Sequence, residues 1–161
     1  DQGYRHIVHI AGPENLSVYR QRKQGYLDAL AQAGISACPG MIVPDTLTRE
    51  KAFSITLEML KSKKKFDAVF AASDFPALGS YLAVRQLGLS VPSDIGIAGF
   101  ANEPFTEYVQ PGLTTTDQNS EEMGRKVASL YLDSLENPGT RQEVIKPRLV
   151  VRGSTLRKQI N

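Results

Sequence analysis

Cysteine and histidine are scarce in this sequence of 161 residues, which contains one cysteine, Cys38, and two histidines, His6 and His9. One cysteine cannot form an internal disulfide bond, and these three residues cannot assemble a Cys/His zinc cluster. We therefore predict no metal site. The histidines lie in or beside a predicted strand with no catalytic partner nearby in sequence, which favours a structural role. Cys38 lies at the start of another predicted strand, where a small buried thiol is the usual arrangement.

A large excess of charge of one sign is also missing. Lysine and arginine number 19 and aspartate and glutamate 17, a net charge of +2, so we do not expect these residues to contact DNA. No apolar run approaches the roughly 18 residues that span a membrane, and the first residues do not resemble a secretory signal. These absences predict a cytoplasmic chain with no membrane partner. The first predicted strand begins so early that a fragment of a longer protein is expected.

The sequence also lacks the motifs of common enzymes. It contains no Gly-x-Ser-x-Gly elbow, no Walker loop, no Gly-x-Gly-x-x-Gly and no His-Glu-x-x-His. We therefore predict no enzymatic activity, no catalytic residues and no cofactor. What the sequence does contain, 41% hydrophobic and 22% charged residues, is typical of a globular chain with a buried core. Its length fits one domain or one lobe of a larger protein.

Short runs rich in valine and isoleucine alternate with longer stretches of helical spacing. The apolar runs predict strands over residues 6–11, 37–43, 67–72 and 95–100. The other stretches predict helices over residues 17–33, after Pro44-Asp45, and over 73–87. Ser73 or Asp74 is expected to cap the last of these helices. This alternation predicts an α/β fold with a parallel sheet flanked by helices on both faces.

Ligands of such sheets bind at the carboxyl ends of the strands. The loops at those ends are residues 11–17, 44–48, 73–76 and 100–105. Arg20, Asp74, Asn102 and Glu103 are the polar side chains expected there. Taken singly, these residues also have ordinary explanations. Arg20 could be a surface arginine, Asp74 a helix cap, and Asn102 and Glu103 turn residues. Their convergence on one edge of the sheet favours a binding site.

The C-terminal part of the sequence breaks the alternation. Residues 113–116 are β-like, residues 119–136 predict a helix, and residues 144–145 and 149–151 are strand-like. One face of the predicted helix is an apolar stripe, formed by Met123, Val127, Leu130, Tyr131 and Leu135. Such a stripe needs an apolar partner. If that partner lies in a missing part of the protein, the stripe will be exposed or covered by another copy.

The sequence contains a series of short segments in a specific order. Each segment alone is weak evidence for a family, but the ordered series is specific. The segments are IAGP at 10–13, SVYRQRKQGY at 17–26, AGI at 33–35, AASD at 71–74, ALG at 77–79, LGLSVPSDI at 87–95, GF at 99–100 and PGLTTTDQ at 111–118. Together they resemble the effector-binding region of the LacI/GalR family of bacterial transcriptional regulators. The resemblance extends from about Tyr4 to Arg157.

The resemblance implies a periplasmic-binding-protein-like fold of which this chain holds mainly the C-terminal subdomain, residues 4–118 and 147–157. Residues 119–146 would return to an N-terminal subdomain that is otherwise missing. Operator DNA would be bound by a helix-turn-helix headpiece outside these residues. The resemblance also implies a homodimer, with contacts expected at Phe75, Leu78, Leu82, Tyr108 and Val109.

The family's effector-binding positions fall on identifiable residues of this sequence. Arg20 matches the family's effector-binding arginine, Asp74 a frequent aspartate, and Gln118 a polar position near the hinge. Ser73 stands where a member uses asparagine, and Leu47 replaces an aromatic residue that stacks on the ligand. Ala101 departs from the acidic residue of most members, which leaves hydroxyl recognition to Asn102 or Glu103.

We therefore predict the effector-binding and dimerisation part of a LacI-type regulator, in which a sugar or related metabolite controls operator affinity through lobe movement. A sugar-binding receptor of the periplasmic type is the alternative, because it would share this fold. A small α/β enzyme is the least favoured class, since no nucleophile, base or cofactor motif supports it.

Overall fold

The structure, a computed structural model, describes residues 2–44, 47–62 and 65–157. Its centre is a parallel sheet of β1 (Ile7–Ile10), β2 (Ile42–Val43), β3 (Ala68–Ala71) and β4 (Gly96–Ala98). The strand order is β2-β1-β3-β4. The intervening helices are α1 (Ser17–Gln32), α2 (Arg49–Lys61) and α3 (Asp74–Gln86). The alternation of strands and helices in the sequence thus predicted both the elements and their parallel pairing.

One face of the sheet carries the main apolar core. Alternation along β1 directs Val8 and Ile10 to this face, where both are buried. They belong to one cluster with Ala52 of α2 and Val84 of α3. β1 lies between β2 and β3 in the sheet. The close packing of this core holds the ends of the strands in fixed positions.

The opposite face of the sheet packs against α1. His9 of β1 stacks between Tyr26 of α1 and Phe70 of β3, with ring centroids 5.0 Å apart on each side. Tyr26 Oη donates to the carbonyl oxygen of Ile7 at 2.7 Å and ties α1 to the sheet. Helices therefore cover both faces, as predicted, and His9 has the structural position expected of it.

The second strand is shorter than predicted. The sequence Cys38-Pro39-Gly40 forms a turn in which Met41 N donates to Cys38 O at 3.2 Å. Proline has no N–H for a strand ladder, and Gly40 has φ of +75°, so these residues leave the sheet. Cys38 is consequently exposed, and the expectation of a buried thiol was wrong.

The start of α3 also differs from the expectation. Ser73 occupies the N-cap position, but its side chain makes no capping hydrogen bond. Asp74 is the first helical residue, and its carboxylate bonds to other parts of the chain. The expected side-chain cap is therefore absent from both residues. Asp45, which the sequence analysis placed before the second helix, lies outside the described residues.

The remaining described chain forms a ribbon and a projecting helix. Strands β5 (Thr115–Asp117) and β6 (Arg148–Val150) pair antiparallel, and α4 (Ser120–Glu136) connects them. Short 3₁₀ turns span Pro104–Glu107 and Gly153–Thr155, and the strand-like residues 144–145 form no strand. No residue of α4 is buried, and its apolar stripe is exposed except at Leu130, which is half-buried. In the part of the chain that the structure describes, no helix is both long and apolar enough to cross a membrane.

Candidate functional site

The carboxyl ends of β1 and β3 lie side by side where the strand order changes direction. Ligands of open α/β sheets bind at such a switch point. A cleft of about 1160 Å³ opens there and extends along α1, which contributes Arg22, Gly25 and Ala29 to its wall. Phe100, which follows β4, and Gln118, which follows β5, complete the end of the cleft at the strand tips.

Arg22 is the polar centre of this end of the cleft. Its Nη1 donates to the carbonyl oxygen of Ala72, just beyond β3, at 2.6 Å. Its Nη2 donates to Gln118 Oε1 at 3.3 Å. The guanidinium carbon lies 3.7 Å from the ring centroid of Phe100, a cation–π contact that fixes the plane of the group. The side chain therefore links α1, β3, β4 and β5 at one point.

The charge of Arg22 has no carboxylate in contact with it. Burial lowers the pKa of its guanidinium, yet an arginine remains charged at neutral pH. Among the described residues no ion pair involves Arg22, and both of its hydrogen-bond acceptors are neutral. Among the described residues that line the cleft, Arg5 is the other charged one, and none is an aspartate or a glutamate.

Asp74 is completely buried behind the strand tips. Its Oδ1 accepts from Thr115 Oγ1 at 2.7 Å, and its Oδ2 accepts from the backbone N of Glu103 at 2.9 Å. A Cβ on Gly99 would lie 2.1 Å from Oδ1, so only glycine allows the carboxylate to pass there. Asp74 thus joins α3 to β5 and to the loop after β4. Because Asp74 is 0% exposed, a ligand hydroxyl reaches its carboxylate only if the surrounding residues move.

The loop after β4 has an unusual backbone. Ala101 has φ of +127° and Asn102 has φ of +59°, both in the region that side chains disfavour. Such residues cost of order 1–3 kcal/mol each unless their surroundings hold them. Asn102 Oδ1 accepts from Arg152 Nη2 at 3.0 Å, and its backbone N donates to Thr115 Oγ1 at 3.2 Å. The loop is therefore held by contacts from β5 and from the segment after β6.

Of the effector residues predicted from the sequence, only Gln118 lines this cleft. Arg20 is exposed, and its Nη1 donates to the carbonyl oxygen of Glu14 at 2.8 Å. Leu47, Ser73 and Asn102 are half-buried beside the strand tips or in the loops after them. Arg20 and Asp74 share no hydrogen-bond partner among the described residues. The effector roles of these residues remain predictions.

Sequence reasoning missed Arg22 although a signal for it was present. Successive helical residues are rotated by about 100°, so Arg20 and Arg22 project about 200° apart. Tyr26 lies four residues after Arg22, on the same face of α1, and is buried against the sheet. The spacing from an inward tyrosine therefore identifies Arg22 as the arginine that faces the sheet.

A separate apolar surface includes the residues predicted for dimer contacts. Phe75 and Leu82 of α3 are 47% and 39% exposed, and Tyr108 is 74% exposed. Leu78 and Val109 are partly buried against the core. Dimerisation through this surface remains a prediction. Within the described ranges, no group of three or more His, Cys, Asp or Glu side chains is placed to hold a metal ion.

The chain is an α/β protein with a parallel sheet and a cleft at the carboxyl ends of its strands. Residues 1–155 match the model of the periplasmic binding protein-like domain family. The chain is 36% identical over 157 residues to the HTH-type transcriptional repressor CytR of Escherichia coli K12, which covers 96% of this chain and 46% of that protein. It is 32% identical over 156 residues to the HTH-type transcriptional regulator CelR of Thermobifida fusca, covering 96% of this chain and 46% of CelR.

Solved structures of the same kind superpose closely on the chain. A transcriptional regulator CelR-cellobiose complex has a TM-score of 0.85 at 32% identity, covering 94% of this chain and 47% of that one. A regulatory protein of the LacI family from Chloroflexus aggregans has a TM-score of 0.87 at 31% identity, covering 95% of this chain and 56% of that one.

The chain belongs to the LacI family of transcriptional regulators and holds part of their periplasmic binding protein-like domain. The predicted family and fold are confirmed. Members of this family are regulators and not enzymes, which also confirms the predicted absence of enzymatic activity. The chain spans about half the length of the curated relatives that it matches.

Proposed function

We propose that this chain is the C-terminal, effector-binding lobe of a cytoplasmic LacI-type regulator and that Arg22, Phe100 and Gln118 form its half of the effector site. The observation that carries the proposal is the position of the Arg22 guanidinium. It is stacked on Phe100 and bonded to Ala72 O and Gln118 at the strand-tip end of the cleft. A planar fork of donors held in this way is suited to acceptor atoms of a small ligand.

In the whole protein, a second lobe would close on the same ligand. Residues 119–146 would belong to that lobe, which is consistent with an α4 that buries none of its residues here. Effector binding would shift the equilibrium between lobe arrangements of high and low affinity for operator DNA. Such a shift requires the effector to bind the two arrangements with different affinity.

The whole protein would contact operator DNA through a segment outside this chain and would form a homodimer through Phe75, Leu82 and Tyr108. The relatives named as HTH-type repressors favour a regulator over the receptor of the periplasmic type. The cellobiose of the CelR complex belongs to that relative and supports a saccharide-sized effector in this one.

The test compares Arg22→Ala with Arg20→Ala in the protein that carries this chain. A panel of saccharides and nucleosides is first screened by thermal shift, and each binder is then titrated by calorimetry. We expect Arg22→Ala to weaken binding at least tenfold, because hydrogen bonds to a charged group contribute about 1.5–3 kcal/mol. Operator binding without effector should persist.

Arg20→Ala is the matched control, since Arg20 lies on the same helix and is exposed. It should leave effector affinity within about twofold of the original value. If Arg20→Ala weakens effector binding and Arg22→Ala does not, then Arg20, the residue predicted from the sequence, belongs to the site and Arg22 does not.

A further inference from the structure

Arg152 is a half-buried arginine that follows β6 by two residues and does not line the cleft. Its Nη1 donates to Thr106 Oγ1 at 3.2 Å and to the carbonyl oxygen of Leu113 at 3.0 Å. Its Nη2 donates to Asn102 Oδ1 at 3.0 Å. One side chain therefore joins the loop after β4, the 3₁₀ turn Pro104–Glu107 and the residues that precede β5.

The three bonds of Arg152 depend on the shape of its guanidinium. All three acceptors are neutral, and among the described residues no ion pair involves Arg152. Pairing of charges therefore does not explain the residue. A guanidinium spreads its N–H donors over a rigid plane, whereas the ammonium of a lysine carries its donors on one atom. This difference allows arginine to reach acceptors on several segments at once.

The loop that Arg152 holds has a backbone that needs such support, because Ala101 and Asn102 both have positive φ. Ala101 N donates to the carbonyl oxygen of Thr116 at 3.0 Å, and Asn102 N donates to Thr115 Oγ1 at 3.2 Å. These two bonds attach the loop to β5, which leads to α4, whereas Arg152 lies on the segment that returns from α4. The loop is therefore bonded to both chain segments that connect the sheet to α4.

The turn Pro104–Glu107 extends these contacts to the exposed apolar surface. Thr106, which accepts from Arg152, is 1% exposed and anchors the turn. Phe105 packs against Phe75 of α3 with ring centroids 5.3 Å apart, and its carbonyl oxygen accepts from the backbone N of Tyr108 at 3.1 Å. Phe75 and Tyr108 belong to the surface that the proposed function assigns to a partner copy.

We propose that Arg152 is a positioning residue that holds residues 101–103 and the turn Pro104–Glu107 in one arrangement and couples the chain segments next to α4 to the self-association surface. The coupling part of the inference rests on the proposed function, which assigns α4 to the second lobe and self-association to the surface around Tyr108. Contiguous contacts between packed elements carry such coupling. Loss of the guanidinium should therefore loosen the loop and weaken self-association together.

The attachment of the segment after β6 does not depend on the guanidinium. The backbone N of Arg152 donates to Thr114 Oγ1 at 2.9 Å. Ser154 Oγ accepts from the backbone N of Thr114 at 2.8 Å and donates to the carbonyl oxygen of Ile97 at 2.6 Å. These bonds form with any side chain at position 152. Replacement of Arg152 therefore tests positioning without detaching the segment.

The experiment compares Arg152→Met, Arg152→Lys and Arg157→Met in the protein that carries this chain. Methionine keeps an unbranched apolar chain and removes every donor, whereas lysine keeps the charge. Arg157 is the matched control, because it is also half-buried on the same segment but lies over the ring of Tyr4 at 4.4 Å and donates to the carbonyl oxygen of Asp94 at 3.4 Å. Amide hydrogen exchange is measured at residues 101–107 and in β1 and β3. Sedimentation equilibrium measures self-association, and urea denaturation measures stability.

We expect Arg152→Met to accelerate exchange at residues 101–107 at least tenfold relative to β1 and β3, because the loop and the turn lose their shared donor. The dissociation constant of the dimer should rise at least fivefold. Arg152→Lys should restore part of both properties, and Arg157→Met should change neither.

A double-mutant cycle with Asn102→Ala tests the contact itself. Arg152→Met should accelerate loop exchange less in the Asn102→Ala background, since the bond between the two side chains is already absent there. The cost of alanine at a positive φ is present in both the single and the double variant and therefore cancels. Equal acceleration in the two backgrounds would show that Arg152 does not act through Asn102.

Two exchange results would overturn the positioning role. Acceleration that is equal in the loop and in β1 and β3 would show that Arg152 acts on overall stability, and unchanged loop exchange would show that it does not hold the loop. If the loop loosens but self-association is unchanged, although Leu82→Lys separates the copies, the coupling is rejected. If Leu82→Lys and Tyr108→Lys also leave association unchanged, the proposed dimer surface is wrong and the coupling is rejected with it, while the exchange data still decide the positioning role.

Discussion

Single residues in this lobe owe their roles to orientation as much as to identity. Arg20 and Arg22 are the same residue type two positions apart, yet one is solvent-exposed and bonded to Glu14 O while the other lies against Phe100 in the cleft. Asp74 illustrates the same point. It was predicted as a ligand-facing residue, but its side chain is buried and joins three parts of the chain.

His9 is a buried base whose protonation opposes folding. Its Nδ1 donates to the carbonyl oxygen of Phe70 at 3.0 Å, and its Nε2 has no partner among the described residues. Burial lowers the pKa of His9, and the nearby positive charge of Lys23 acts in the same direction. The imidazole is therefore neutral in the folded lobe at neutral pH.

The lowered pKa predicts how stability depends on pH. The unfolded chain binds a proton at His9 near pH 6.5 and the folded lobe only at lower pH, so the free energy of unfolding should fall as pH decreases below about 6.5. Urea denaturation at several pH values between 7.5 and 5 measures this slope. His9→Phe, which keeps a ring between Tyr26 and Phe70, should reduce it. An unchanged slope in His9→Phe would show that His9 does not cause this pH dependence of the free energy of unfolding.

Helices α2 and α3 pack closely against each other, and a glycine makes this possible. A Cβ on Gly79 of α3 would lie 2.2 Å from the backbone oxygen of Arg49 and 2.9 Å from the backbone N of Phe53. These atoms belong to the start of α2 and cannot turn aside as a flexible side chain would. The glycine therefore sets the distance between the two helices that support the sheet.

Gly79→Ala should lower the free energy of unfolding by about 1–3 kcal/mol, because the added methyl group overpacks a backbone contact. Gly25→Ala is the matched control in α1, where a Cβ would meet nothing within 4 Å. There the better helix propensity of alanine should raise stability by about 0.5–1 kcal/mol. Chemical denaturation followed by circular dichroism compares them, and equal effects at the two glycines would rule out the packing explanation.

The β5–β6 ribbon is the element that connects the sheet to α4. Asp117 accepts from the backbone N of Asn119, which lowers the pKa of its carboxyl, and Arg148 across the ribbon donates to it at 3.3 Å. Asn119 has φ of +52°, and its Nδ2 donates to Lys146 O at 2.8 Å. The chain segment that leads into α4 and the segment that returns to β6 are thus bonded to each other at the start of α4.

For the whole molecule, the distribution of exposed apolar residues indicates two surfaces that other parts of the assembly would cover. One is the stripe of α4, with Val127 and Tyr131 61% and 64% exposed. The other includes Phe75, Leu82 and Tyr108. The first is assigned to the second lobe under the proposed function, and the second to a partner copy. Large exposed apolar areas commonly mark such interaction sites.

The two assignments predict different effects on dimerisation. Leu82→Lys and Tyr108→Lys should shift the association equilibrium towards monomer by at least tenfold, because a lysine charge would be buried in the dimer contact. Val127→Lys, which changes an equally apolar exposed position on α4, should not. Sedimentation equilibrium over a range of concentrations measures the dissociation constant. If Val127→Lys separates the copies and the other two do not, the copies associate through α4 instead.

The sequence by itself determined the order of the elements, the parallel sheet and the family, because hydrophobic periodicity and short ordered segments are local properties. It also predicted the unburied apolar stripe of α4. Only the tertiary structure decided that Arg22 enters the cleft instead of Arg20 and that Asp74 is buried. It also showed that Cys38 is exposed. These outcomes depend on which face of each element packs against the sheet and on contacts between residues far apart in the chain.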